Sequence, residues 1–153
     1  MEIVDIIKKS MKVKNLKQKL FYIIIIGFSI FILFFVITCT LIGYEAKSQC
    51  ADAKREYSGS LPIDRQDCVE ALITFVKDKN NSYRSRNSAI WALGQFGDSR
   101  ALPVLQSFYT GNIPSREPLD KSISQYELKK AIKLASGGFN MTAFIWRNGN
   151  IEK

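Results

Sequence analysis

The sequence predicts an all-α protein in which one transmembrane helix precedes a short α-solenoid of helical hairpins, with an irregular or short-strand C-terminal tail. Three observations carry this prediction: one long uncharged apolar run, later segments with apolar or small residues at three- and four-residue steps, and glycine-containing turns between those segments. A chain of 153 residues has room for one modest domain besides these accessory segments. The expected regions are a basic cytoplasmic tail (1–20), the transmembrane helix (21–43), the helical repeat domain (44–138) and a C-terminal cap or tail (139–153).

The apolar run FYIIIIGFSIFILFFVITCTLIG occupies residues 21–43 and contains no charged side chain. An α-helix rises about 1.5 Å per residue, so about 20 apolar residues cross a bilayer. A helix that is apolar on every side would need a far larger protein around it to be a buried globular helix. We favour an uncleaved signal anchor over a cleaved signal peptide, because the run is long and no small-residue cleavage site follows it. A lipoprotein cleavage site at residues 36–39, VITC, is the weaker alternative.

The charges on the two sides of this run predict its orientation. Six lysines crowd the first 20 residues, whereas residues 44–49 carry only Glu45 and Lys47. The positive-inside rule therefore predicts a single-pass protein of the cell membrane with a cytoplasmic N-terminus and an extracytoplasmic C-terminal domain. The lysines have two open roles: they determine topology, or they form the basic side of an amphipathic helix on anionic headgroups.

The exported part is only mildly basic. Removing the six lysines and two acidic residues of the first 20 positions from totals of 22 basic and 14 acidic residues leaves 16 against 12. No dense stripe of lysine and arginine with interleaved aromatic residues occurs there, so we expect no nucleic acid partner. The expected partners are the lipid bilayer, through residues 21–43, and a protein of the cell envelope.

The cysteines and the absence of histidine limit the catalytic and metal sites that the protein can form. Cys50 and Cys68 fall in the exported part, where an oxidising compartment favours a disulfide; two small buried thiols are the alternative. The chain has no histidine, which removes histidine-dependent catalytic sites and zinc sites. Asp64, Asp67 and Glu70 lie at a predicted helix start, where carboxylates complement the helix dipole. We therefore expect no enzymatic activity, no metal and no cofactor.

Residues 82–111 predict one antiparallel helix pair. Its first helix repeats small or apolar residues on one face: Ser85, Ala89, Ala92, Leu93 and Phe96. Gly94 and Gly97 are placed at the end of this helix, and Asp98 at the N-cap of the next, over about residues 99–109. Pro103 lies about one turn into the second helix, where the missing amide donor costs little.

The helix pair is repeated in weaker form on both sides. A shift of about 33 residues places residues 68–75 on residues 101–108, with leucine and phenylalanine at matched positions. An earlier pair would then comprise residues 44–57 and 66–79, and a later unit would begin at residues 126–136.

Two other segments are predicted not to be helical. Residues 111–121, GNIPSREPLDK, have two prolines and mixed charges, which predict an exposed loop. Residues 139–145 alternate apolar and polar side chains, which predicts a short strand followed by a turn at Asn148 and Gly149. We expect this tail to cap the open end of the helical stack.

The motif Ala-Leu-Gly-x-x-Gly-Asp-x-Arg-Ala-Leu-Pro-x-Leu at residues 92–105 resembles the short HEAT-type repeat, in particular the phycobilisome-lyase HEAT-like variety. The resemblance is specific over residues 84–111 and looser over 66–78 and 126–138. It implies an α-solenoid of stacked helix pairs whose usual role is scaffolding or protein binding.

Two functions stay open at this point. The first is a non-catalytic scaffold or adaptor at the extracytoplasmic face, with candidate contacts at Arg84, Arg86, Arg100, Arg116, Glu117, Trp146 and Arg147. For Arg100, pairing with Asp98 or with a neighbouring helix end is the competing interpretation. The second, implied by the resemblance, is an accessory to a cofactor- or chromophore-attaching, lyase-like enzyme that uses cysteine chemistry. Free thiols at Cys50 and Cys68 would support this alternative, whereas a disulfide between them would count against it.

Overall fold

The computed structural model describes residues 2–57 and 67–147, with side chains described from residue 16 onward. These residues form six α-helices: α1 (Glu2–Tyr57), α2 (Cys68–Lys77), α3 (Tyr83–Phe96), α4 (Leu102–Phe108), α5 (Gln125–Ala135) and α6 (Met141–Arg147), with a 3-10 turn (Ser99–Ala101) before α4. No strand occurs in these described ranges, which confirms the all-α prediction. The chain divides into two compact units, Met1–Thr38 and Cys39–Lys153.

The first unit is the N-terminal part of α1. Within residues 16–57 this helix is long and apolar enough to cross a membrane, by length and composition. Large side chains such as Phe28 and Phe34 are exposed. The hydroxyls of Ser29 and Thr38 donate to the carbonyls of Ile25 and Phe34, each at 2.9 Å, so the helix itself satisfies them.

The helices of the second unit pack around a main apolar core. α3 is central, since it packs against both α2 and α5, and α4 packs against α5. The largest fully buried side chains come from all four of these helices: Leu72, Val76, Ile90, Leu93, Leu105 and Leu128. The C-terminal part of α1 contributes Ala53 to the same core.

Short polar side chains begin four of these elements. Asp67 accepts from the Glu70 amide at 2.8 Å at the start of α2, and Ser82 and Ser124 cap α3 and α5 in the same way. Asp98 accepts from the Arg100 amide at 2.9 Å and begins the 3-10 turn, as its position after Gly97 predicts. The prediction for Asp64 lies outside the described residues.

Two details of the predicted helix pair differ in the structure. The second helix is interrupted: a 3-10 turn comes first, and α4 follows with Pro103 in its first turn. Gly94 lies within α3 and does not end it. A Cβ added at Gly94 would lie 2.9 Å from the Cα of Ala131, so this glycine permits the close approach of α3 to α5. Gly97, at a φ of 62°, ends α3 instead.

The short strand predicted for the tail is wrong, because Met141–Arg147 form helix α6. The alternation of apolar and polar residues is misleading there: Ala143 and Trp146, three residues apart, are the buried pair, whereas Phe144 and Ile145 are exposed. Asn140 begins the helix by accepting from the Ala143 amide at 3.2 Å. The turn predicted at Asn148 and Gly149 lies outside the described residues.

Candidate interaction surface

An open groove of about 330 Å³ runs along α3 in the second unit. We call it the α3 groove, and its lining is Glu45 from α1, Arg84, Asn87, Ser88 and Trp91 from α3, Leu119 from the α4–α5 loop and Glu127 from α5. Three helices and a loop therefore contribute to one surface. Of the candidate contacts predicted from sequence, Arg84 is the one that lines this groove.

The lining combines apolar surface with both signs of charge. Trp91 is half-buried between the two apolar clusters of the unit, and the Leu119 side chain is exposed. Glu45 accepts from Gln49 at 3.1 Å and Glu127 pairs with Lys130 at 3.2 Å, so contacts on their own helices orient both carboxylates. An aromatic ring beside a leucine, surrounded by charged groups, is the composition typical of a protein-binding surface.

The α4–α5 loop extends this surface with a second depression of about 330 Å³. Its lining shares Leu119 and Glu127 with the α3 groove and adds Ile113, Pro114, Ser115, Glu117, Ser124 and Tyr126. The loop predicted from its prolines is thus part of the candidate surface.

Asn87 holds this loop against α3. Its side-chain amide donates to the carbonyls of Leu119 and Ser122 at 3.1 and 3.0 Å and accepts from the Ser124 amide at 2.8 Å. Asn87 is buried, and it uses both its donor and its acceptor on backbone groups of the loop. Sequence reasoning missed this residue; the available signal was a polar amide on the buried face of an amphipathic helix.

Glu117, within the loop, binds the start of α5. One carboxylate oxygen accepts from the amides of Gln125 and Tyr126 at 2.7 and 3.1 Å, and the other accepts from the Ser124 hydroxyl. These amides are the free donors at the start of α5, where a carboxylate is favoured. The structure therefore gives Glu117, a predicted partner contact, an intramolecular role, whereas Arg116 beside it is exposed.

Arg86 lies inside the domain. Its side chain is 5% exposed, and its Nε donates to the Val76 carbonyl at 2.8 Å. The guanidinium also lies 5.4 Å from the ring centre of Phe108. We therefore remove Arg86 from the candidate contacts, because the side chain joins α2, α3 and α4 from within.

Arg100 binds carboxylates of its own chain. It pairs with Asp67 at 2.6 Å and with Asp98 at 2.8 Å, which joins the 3-10 turn to the start of α2. Hydrogen bonds to Asp98 and then to Asp67 raise the pKa of Arg100, and the hydrogen bond from Arg100 lowers the pKa of Asp98. The competing interpretation of Arg100, pairing within the domain, agrees with this geometry.

Trp146 and Arg147 attach α6 to the rest of the second unit. Trp146 is buried with Ala46 and meets the Phe96 ring edge-on, with ring centres 5.7 Å apart. Arg147 donates from Nε to the Gln95 carbonyl at 2.7 Å, and burial lowers the pKa of Arg147. Both residues make contacts within the domain.

The structure joins Cys50 on α1 to Cys68 on α2 by a disulfide, with Cα atoms 5.1 Å apart. Cys39 is a buried free thiol. In this state neither bridged sulfur is a nucleophile, which removes the condition that favours the lyase-like alternative.

A polar triad, formed by Tyr57, Asp78 and Asn81, connects the end of α1 to the α2–α3 turn. The Tyr57 hydroxyl donates to Asp78 at 2.7 Å and accepts from Asn81 at 3.0 Å. Burial, followed by the hydrogen bond to Asp78, raises the pKa of Tyr57 to about 12. The hydrogen bonds that Asp78 accepts, first from the Asn80 amide and then from Tyr57, lower the pKa of that carboxyl. The triad was not predicted from the sequence.

The packing of α3 against both α2 and α5, with short capped turns on either side of α3, is typical of a helical-repeat domain. Residues 46–115 match a family model described as HEAT repeats, which supports a HEAT-repeat domain in this part of the chain. This match covers the end of α1, α2, α3 and α4. Searches of curated proteins and of solved structures give no significant match.

Proposed function

We propose that this protein is a membrane-anchored, non-catalytic scaffold whose HEAT-like domain binds a protein partner at the extracytoplasmic face. HEAT repeats are helical scaffolds for protein interaction, and the match over residues 46–115 supports that role. The observation that carries the proposal is the α3 groove, an open surface on which Trp91 and Leu119 are surrounded by charged side chains.

The anchor in this proposal is the apolar part of α1. Its length and composition suit a membrane span, and its large side chains are exposed. The lysines before it favour a cytoplasmic N-terminus. The Cys50–Cys68 disulfide supports the same orientation, because such bonds persist in oxidising compartments.

The partner segment that fits the groove has an apolar side chain flanked by charges of both signs. The apolar side chain would pack on Trp91 and Leu119, a basic group would face Glu45, and an acidic group would face Arg84. Arg84 is the best placed of the predicted contacts, since it is exposed and its planar guanidinium binds carboxylates in two hydrogen bonds.

The proposal is tested by affinity purification of the tagged full-length protein from crosslinked membranes. Two groove variants are compared with the native chain: Arg84→Glu, which reverses a charge, and Ser88→Arg, which fills the groove. Lys129→Glu is the matched control, because it makes the same charge change at an exposed position of α5 outside the lining.

We expect one envelope protein to co-purify with the native chain and with Lys129→Glu, and to be strongly depleted with both groove variants. Equal recovery with all four proteins would exclude the α3 groove as the contact. If the native chain recovers no specific protein, the scaffold proposal itself is wrong.

A further inference from the structure

Four of the residues 139–145 expose large apolar side chains. Phe139 is 79% exposed, Phe144 67%, Met141 56% and Ile145 43%. We call these four side chains the α6 patch. Residues 139–146, FNMTAFIW, contain no charged side chain. Large apolar side chains that are exposed so close together in sequence on a folded domain mark an interaction surface.

The contacts of α6 place this patch beside the end of the apolar run. A Cβ added at Gly43 would lie 2.8 Å from Cγ of Trp146, so the indole packs directly on the backbone of α1 at that position. Ala46, one turn further along α1, is buried against Trp146 and Ala143. Gly43 is the last residue of the apolar run at 21–43, and these contacts all lie within the second unit.

We infer that α6 is an interfacial membrane element whose patch inserts into the lipid surface from which α1 emerges. The inference rests on the membrane anchoring proposed above. A helix at the level of Gly43 meets the headgroup region, where aromatic side chains are favoured and an apolar helix face is buried about 5–10 Å deep. Lipid is favoured over protein as the occupant because α6 packs on α1 at the end of the apolar run, and residues 139–146 offer no charged group to a protein partner.

Two features of α6 suit this position. Its Ala143 and Trp146 side chains face the domain, so the remaining face is free for lipid. Its first charged side chain, Arg147, donates to the Gln95 carbonyl inside the domain. The patch would therefore hold the repeat domain close to the membrane at a second point besides the span.

The test is spin-label depth measurement on the full-length protein in phosphatidylcholine liposomes. Single cysteines replace Phe144, Phe139, Phe31 or Tyr126 in a Cys39→Ala background, where Cys50 and Cys68 stay bridged and unlabelled. Phe31 reports on the span, and Tyr126, 54% exposed on α5, is the matched aromatic control. Collision of each label with oxygen, which partitions into lipid, is compared with collision with a water-soluble nickel complex. Circular dichroism verifies that each variant is folded.

We expect the oxygen-to-nickel ratio at Phe144 and Phe139 to be several-fold above that at Tyr126 and below that at Phe31. Ratios at both patch positions equal to that at Tyr126, with Phe31 in lipid, would overturn the interfacial role of α6 and leave the anchor intact. A protein-docking role for the patch would then replace it. A low ratio at Phe31 as well would refute the anchoring proposal and, with it, this inference.

Discussion

Two connections of the repeat domain are built in opposite ways. The turn between α3 and α4 consists of Gly97, Asp98 and the 3-10 turn, and its hydrogen bonds are made by adjacent residues. The connection between α4 and α5 runs through residues 109–124, and Asn87 binds its last part, residues 119–124, from more than 30 positions earlier. Capping by Asp98 within the turn begins the first connection, whereas the second needs the distant Asn87 to hold it against α3, and the second forms part of the candidate binding surface.

Replacing Asn87 with alanine is expected to lower the free energy of unfolding the most, because Asn87 holds the α4–α5 loop against α3. The change removes three hydrogen bonds and leaves backbone groups of the loop without partners, at a cost of about 2–4 kcal/mol. Urea unfolding measures the loss, and hydrogen exchange should accelerate at residues 117–124. Asn112→Ala, at an exposed position of the same loop, is the control and should be nearly neutral. Equal losses in the two variants would contradict the role assigned to Asn87.

Glycine-to-alanine changes compare the two connections directly. Gly97 and Gly111 have φ values of 62° and 81°, a conformation that costs an alanine about 1–2 kcal/mol. A Cβ at Gly97 would also lie 2.6 Å from the Arg147 guanidinium, whereas nothing lies within 4 Å of a Cβ at Gly111. Thermal unfolding should therefore show the larger loss for Gly97→Ala. A larger loss for Gly111→Ala would show that the contact with Arg147 does not matter.

Substitutions of Asp98 test how much its capping side chain stabilises the turn between α3 and α4. Asp98→Ala removes the cap and should cost about 1 kcal/mol, whereas Asp98→Asn retains a capping oxygen and should cost less. The pKa of Asp98 is lowered in the folded protein, so its contribution is complete above the unfolded value of about 3.9 and is lost as pH falls through the folded pKa. The free energy of unfolding of the native chain and of Asp98→Asn, measured as a function of pH in acid, tests this contribution. If the two proteins lose stability in parallel as the pH falls, Asp98 does not make it.

The smallest expected effect concerns the polar triad at the end of α1. The pKa of Tyr57 is raised from 10.0 to about 12, so this contribution to stability is complete below pH 10 and is lost as pH rises towards 12. An ultraviolet titration should show one tyrosine that ionises late and is missing in Tyr57→Phe. Tyr126→Phe, at an exposed position, should remove an ordinary tyrosine instead. A late-ionising tyrosine that persists in Tyr57→Phe would refute the assignment.

Much of the fold could be predicted from the sequence because its signals are local. The helix pair follows from the spacing of Ala89, Ala92 and Leu93, and the turn follows from Gly97 and Asp98. The tail was not predictable in this way, since a few alternating residues fit a strand and a helix equally well. Contacts of Trp146 with α1 decide in favour of the helix.

Less of the candidate site could be predicted, because arginines were assigned to the surface from residue type alone. Burial separates them: Arg84 is exposed in the groove, whereas Arg86, two positions later, points into the core and bonds to the Val76 carbonyl. The groove itself combines α1, α3, α5 and a loop, and only the tertiary structure brings them together.

Site-specific photocrosslinking in intact membranes tests the central claim most directly. A photoreactive phenylalanine analogue is placed at Leu119, an exposed apolar residue of the α3 groove, or at Gln106, an exposed position of α4 outside the lining. The scaffold account predicts one discrete crosslinked protein from Leu119, lost when Arg84→Glu is added, and none from Gln106. Equal crosslinking from both positions, or crosslinks from Gln106 alone, would contradict binding through the α3 groove.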